Sequence, residues 1–293
     1  MKFSIVTPSY NQGAFIGRTL ESVAGQGVAS LEHLVMDGGS RDDTCRILAA
    51  AGPGVTWVSE PDRGQTDALN KGLRRSRGQI IGWLNSDDVY FPGALEAVET
   101  IFDRHPDADV VYGLADHIDT EDEVIAPYPV EAWDPERLDS TCIICQPALF
   151  FRRGLLERCG YPDESLDYCM DYEYWLRLRD AGARFYFLER RLAGSRMYPQ
   201  NKTLGSRLAV HAEINEMFRH RSGRVPDAWI LNYAHALVES RVSREQWPRF
   251  FVMALLFAAT GAGLRWNRGL SPTLRRVLLS WYEGMRSRRG ETR

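Results

Sequence analysis

The 293-residue chain has no G-x-G-x-x-G after its first apolar run, which argues against a nicotinamide enzyme. It has little excess of either charge: the formal net charge is -3, so nothing global points to nucleic acid as a partner. It has only five cysteines, an odd number, and the opening MKFSIVTPSY reads as a strand and a turn rather than a secretory signal. A reducing, cytoplasmic setting is expected. Cys142 and Cys145 form a C-x-x-C, but Ile143 and Ile144 between them suit buried thiols better than a zinc knuckle. Internal repeats and low-complexity segments are also missing. The charge-free stretch Phe250 to Leu264 has fifteen residues. As a helix it would span about 22 Å, short of the ~30 Å hydrocarbon core, so it makes a poor membrane span. Two readings stand for it. It is a buried or subunit-contact helix, with a homodimer as one consequence, or it lies in a membrane interface on the inner face with Arg249, Arg265 and Arg268 at the headgroups. Charge is unevenly spread: from Arg241 onward eleven arginines stand against three glutamates, a local +8 that leaves -11 for the rest. That tail favours anionic lipid.

What is present is alternation. FSIVT (3–7), LEHLVMD (31–37), VTWVS (55–59), QIIGWL (79–84) and DVVYG (109–113) read as buried strands. Residues 14–24, 41–51, 66–76 and 93–104 between them have helical spacing. This predicts an α/β fold with a mostly parallel sheet flanked by helices. Ligands in such sheets bind beyond the carboxyl ends of the strands. Residues 114–200 are mixed, with one clear helix, DYEYWLRLRDAG, and the remainder reads as helical. Two regions are expected, 1–205 and a helical 206–293.

Acidic residues collect where strands end. Asp42 and Asp43 follow Ser40 as a capping-box-like helix start. Asp87 and Asp88 lack such a register, and Pro92 delays the next helix. Two adjacent carboxylates repel, and a divalent cation, Mg²⁺ or Mn²⁺, removes the conflict. Side chains alternate along a strand, so Asp88 is expected on the metal and Asp87 on a sugar hydroxyl or metal-bound water. The alternative is an exposed acidic turn. Asp37, before Gly38–Gly39, suits hydrogen bonds from a nucleobase or ribose; an Asx-type turn accounts for it equally well. Asp171 opens a helix, either as an N-cap or as a general base.

Taken in order, IVTPSYNQGAFIGRTLESV, HLVMDGGSRDDT, EPDRGQTDALNKGL, GQIIGWLNSDDVYFPGAL, QPALFFRR, YPDESLDYCMDYEYWLRL and SRMYPQNKT resemble the family 2 inverting glycosyltransferases of the GT-A fold, over roughly residues 3 to 205. The resemblance implies a nucleotide-binding sheet and a nucleotide-sugar donor, most often uridine-linked. It implies Pro8, Tyr10 and Asp37 around the base, and Asp62 on the nucleotide side. Asp87 and Asp88 would hold diphosphate and metal, Asp171 would deprotonate the acceptor hydroxyl, and Gln146 would sit near the acceptor. The chain departs from the pattern at Asn85, where many relatives have a third acid, and at Tyr198, where some have a histidine. The implied acceptor is a glycan or lipid-linked glycan in cell-surface polysaccharide assembly. Two competing readings are a glycosyltransferase-like scaffold without turnover and a sugar-nucleotide uridylyltransferase. The second lacks its basic loop, since TPSYNQGAF has no Lys or Arg.

Overall fold

A computed structural model describes residues 1–199 and 201–287 of the chain. Gln200 of the SRMYPQNKT stretch, and Arg288, Arg289 and Arg293 of the basic tail, lie outside the described residues. The chain divides into two compact units, residues 1–138 with 142–201, and residues 139–141 with 202–293.

The first unit is built on β1 (Phe3–Ser9), α1 (Ile16–Ala24), β2 (Leu31–Asp37), α2 (Thr44–Ala50), β3 (Val55–Ser59), α3 (Gln65–Arg75), β4 (Ile80–Trp83), β5 (Val89–Tyr90), α4 (Ala94–Arg104), β6 (Val110–Ile118) and β7 (Val124–Pro127). After α5 (Arg137–Ser140), whose last two residues fall in the second unit, it continues through β8 (Leu149–Arg152), α6 (Gly154–Cys159), α7 (Met170–Asp180) and β9 (Phe185–Arg196). The sheet order is β3-β2-β1-β4-β8-β6-β9-β5, with β7 on β6. The first four strands are parallel, as their alternation with helices predicts. The second half departs from the expected mostly parallel sheet: β8 runs antiparallel between β4 and β6, and β5 antiparallel on β9. Antiparallel neighbours need no crossover helix between them.

Alternation along β1 feeds two sides of the sheet. Phe3 and Ile5 enter a core with Leu95, Val98, Val111 and Phe150. Val6 faces α3 instead, where a Cβ on Gly72 would sit 2.4 Å from its Cγ1, so only glycine lets that helix approach. A second cluster, Ile16, Leu20, Val35 and Leu48, seats α1 and α2. The capping expectation at Ser40 is corrected here. Helix α2 starts at Thr44, and it is Asp42 that accepts from the Thr44 N–H at 3.1 Å. Ser40 is drawn away to Asp37.

His33 on β2 is buried, with Nε2 2.9 Å from the Thr7 hydroxyl. Burial pushes its pKa down to about 4 from 6.5. The ring is neutral in the fold, whereas the unfolded chain takes up a proton below about pH 6.5. Stability is therefore lost as pH falls from 6.5 towards 4, by roughly 2 kcal/mol between about pH 7 and about pH 5. Urea unfolding at the two pH values should show His33→Gln losing less stability than the parent by about that amount; equal losses would refute the assignment.

The second unit is helical: α8 (Lys202–Gly205), α9 (Arg207–Ser222), α10 (Asp227–Glu239), α11 (Pro248–Asn267) and α12 (Pro272–Ser287). Val238, Phe251 and Leu255 form its core with Trp281 against them. Trp266 packs edge-on to Tyr233 and donates to Glu216 at 2.6 Å. The sequence-based length for the apolar stretch is corrected: α11 has 20 residues, about 30 Å, long enough and apolar enough to cross a membrane by length and composition. Pro248 at its first turn and Arg265 in its last extend it beyond the charge-free core.

Candidate active site

Because β3, β2, β1 and β4 are parallel, their carboxyl ends share one edge, and the register places Ser9, Asp37 and Ser59 side by side there. Pro8 is buried in β1, and Tyr10, just past it, exposes 57% of its surface. Asp37 is 2% exposed. It accepts from the Gly39 and Ser40 N–H groups at 3.1 and 2.9 Å and from the Ser40 and Ser59 hydroxyls. Burial alone would raise its pKa, but these hydrogen bonds outweigh it and hold the carboxylate below its usual range. Asp37 thus makes the Asx-type turn, at the same edge as the exposed ring of Tyr10. Asp62 closes in from the turn after β3: a Cβ on Gly38 would lie 2.4 Å from its Oδ2. The structure brings Pro8, Tyr10, Asp37 and Asp62 to one edge.

The acidic pair follows β4. It lies in a turn, not a strand, with the Asp88 N–H bonded to the Asn85 carbonyl at 3.2 Å. Strand alternation therefore does not separate the two side chains, and both are drawn towards the end of β9. Asp88 accepts from the Arg196 N–H at 2.9 Å and Asp87 from the Tyr198 hydroxyl at 2.8 Å. The Arg196 guanidinium is fully buried. It donates to the carbonyls of Asp87 and Asp119 and to the Asp122 carboxylate, and its carbon sits 4.9 Å over the Phe15 ring. Burial raises both pKa values, and for Asp88 the charge of Asp87 raises it further. Tyr198 and Arg196 pull back only in part. A buried and a half-buried carboxylate that repel each other, with a shortfall of positive charge, fit a divalent cation. No group of three His, Cys, Asp or Glu side chains converges among the described residues. The protein would supply two carboxylates and leave the remaining positions to a diphosphate and water.

Asn85 joins the pieces. Its Oδ1 accepts from Trp83 Nε1 at 2.9 Å and Gln65 Nε2 at 2.8 Å, and its Nδ2 donates to Gln146 Oε1 at 2.8 Å, with Asp88 Oδ2 at 3.4 Å. All four amide positions are used. Gln146, 7% exposed, turns its own Nε2 to the Trp83 carbonyl. An acid at 85 loses two donors and adds a third like charge. Asn85→Asp is expected to cost about 2–3 kcal/mol in urea unfolding with a chelator present, and an unchanged midpoint would contradict the amide's linking role.

Asp171 is the second residue of α7, whose N-cap is Cys169. The N-cap reading is therefore set aside, and the carboxylate sits half-buried in the first turn. Its charge, like that of Asp88, acts on the Tyr128 hydroxyl and the Cys145 thiol, both driven up first by burial. The half-buried Tyr128 and the buried Cys145 thus feel the charges of both Asp171 and Asp88. Cys142 and Cys145 are free thiols. Burial raises both, so neither ionises near neutrality.

Residues 4–160 match the family described as glycosyl transferase family 2. The chain belongs to that family. The family match includes the edge from Pro8 to Gln146 and stops before Asp171. Chondroitin synthase of Escherichia coli is 34% identical over 183 residues, 61% of this chain and 26% of its own length. The chain spans less than two thirds of several curated relatives, 65% in one further case. Among solved structures, Staphylococcus aureus TarS 1–349 in complex with UDP-GlcNAc superposes with a TM-score of 0.62 at 18% identity, covering 88% of this chain and 82% of that one. The mannosyltransferase PcManGT of Pyrobaculum calidifontis, in complex with GDP-Man and Mn²⁺, gives 0.59 at 20% identity, covering 98% and 82%. The fold is that of these glycosyltransferases, a mixed α/β sheet with flanking helices.

Sequence reasoning missed Arg196, Asp122 and Gln65. Arg196 reaches Asp88 across 108 positions. Arg196 ends a strand whose other arginines, Arg190 and Arg191, are exposed, so nothing local marks it as the buried one.

Proposed function

We propose that this family 2 chain is a divalent-cation-dependent, inverting glycosyltransferase. It would take a nucleotide-linked sugar, uridine-linked in the first instance, and pass the sugar to a hydroxyl of a glycan or lipid-linked glycan in surface-polysaccharide assembly. The observation that carries this is the pair Asp171 and Asp88, whose charges both act on Tyr128 and Cys145, together with the Tyr10–Asp37–Asp62 edge. TarS with UDP-GlcNAc and PcManGT with GDP-Man and Mn²⁺ support the donor class and the cation.

In this reaction Tyr10, Asp37 and Asp62 line the nucleoside end, and Asp87 and Asp88 hold the diphosphate end. A divalent cation bound there would supply Lewis acidity towards the departing phosphate oxygen. The acceptor oxygen forms its bond to the anomeric carbon as the carbon–phosphate oxygen bond breaks, its electron pair leaving with the nucleoside diphosphate. Asp171 takes the hydroxyl proton. A single displacement inverts the anomeric centre. The first turn of a helix stabilises an ionised carboxylate, so Asp171 is a weak base suited to late proton transfer. Asn85 and Gln146 fix the loop between the two carboxylates.

The test is nucleoside diphosphate release from UDP- and GDP-linked sugars with Mn²⁺ and a membrane lipid extract. Release that needs the extract and stops on chelation is expected. Pyrophosphate release would indicate the uridylyltransferase chemistry, and donor binding without release would indicate a scaffold.

A further inference from the structure

We infer that the helical unit docks on an anionic bilayer through one face of α11. This does not depend on the donor chemistry above. Phe250, Met253, Phe257 and Leu264 are 59, 43, 74 and 56% exposed, and exposed Gly261 continues their line. The spacing of three and four puts them on one stripe along the helix. Trp247 extends the stripe past its N-terminal end at 64% exposure. Aromatic side chains of this kind favour the bilayer interface. Leu279 and Tyr282 add exposed apolar surface on α12.

The opposite face is already committed. Phe251, Leu255, Ala259, Ala262 and Trp266 are each at most 4% exposed. Phe251 and Leu255 pack with Val238, and Trp266 with Tyr233. Crossing a bilayer would tear α11 out of that packing and break the Trp266–Glu216 hydrogen bond. Lying in the interface uses the exposed stripe and keeps the bundle.

Charge selects the occupant. Arg249, Arg265 and Arg268 stand near the ends of α11, and Arg275, Arg276 and Arg286 on α12, all exposed. With Arg241 and Arg244, the exposed arginines from 241 to 287 outnumber the exposed glutamates eight to two. A second copy would bring the same positive surface against this one. Anionic headgroups complement it, with arginine stems lying along the apolar boundary.

The test is flotation of the full chain with vesicles of phosphatidylcholine, with or without phosphatidylglycerol. Flotation is expected with phosphatidylglycerol at low salt, falling about tenfold or more without it or at high salt. Phe250→Ser with Phe257→Ser should lower partition by about a hundredfold while leaving the urea midpoint unchanged, since both side chains are exposed. Arg275→Glu with Arg276→Glu should remove the lipid preference, also at the parent midpoint. If the parent stays with the unbound fraction under all conditions, the inference fails. It fails equally if sedimentation shows a parent dimer that the double serine variant dissociates, with no vesicle binding.

Discussion

Asp171→Asn is expected to lower turnover by about a hundred- to ten-thousand-fold while donor affinity holds. The side chain lies in the first turn of α7, and the N-cap belongs to Cys169, so asparagine preserves shape without disturbing the helix start. What changes is basicity. The amide cannot accept the acceptor's proton at neutral pH. Nucleoside diphosphate release at saturating donor measures the first effect, and calorimetric donor titration the second. Turnover at the parent rate would remove Asp171 from the chemistry.

Asp88→Asn is expected to act on both quantities, with turnover falling about a thousandfold and cation-dependent donor binding falling with it. The same change should stabilise the protein without ligands. The Asp88 carboxylate has its pKa raised first by burial and then by Asp87. A raised carboxylate binds its proton more tightly in the folded state, so the parent loses stability as pH rises from the unfolded towards the folded pKa. Asparagine cannot titrate and escapes that loss. Thermal unfolding near neutral pH with a chelator should show a raised midpoint for Asp88→Asn. As pH falls, the parent should recover and the gap should close. A variant that loses stability and activity together would make Asp88 a packing residue. Opposite signs would place it where function has been favoured over stability.

The first four strands were legible because each is a short run rich in β-branched and apolar residues, three of them buried almost throughout and β3, at the sheet edge, only partly. The later strands were not: β5 spans Val89–Tyr90 and β8 spans Leu149–Arg152, too short to show a period. The edge residues Tyr10, Asp37, Asp62 and Asp88 could be placed because polar side chains at parallel strand ends share an edge by topology. Their partners could not. Asn85 reads as a departure from an acidic pattern, and its use as a linking amide depends on Gln146, 61 positions away. The placement of Asp88 and Asp87 on opposite sides assumed a strand where the chain turns. The capping box at Ser40 was locally sound but lost to Asp37, which offers that hydroxyl a buried carboxylate. Helix α11 was underestimated because charge was taken to mark its ends, whereas arginines are accommodated within its first and last turns.

Residues 139–141 belong with the C-terminal helices, and the Trp229 indole donates to the Asp139 carbonyl at 3.0 Å. The polypeptide therefore visits the helical unit once, leaves, and returns only at residue 202. During synthesis that three-residue visit emerges long before Trp229 exists to receive it. A protein cut after residue 201 would keep the tripeptide and lack Trp229, the hydrogen-bond donor to its first carbonyl.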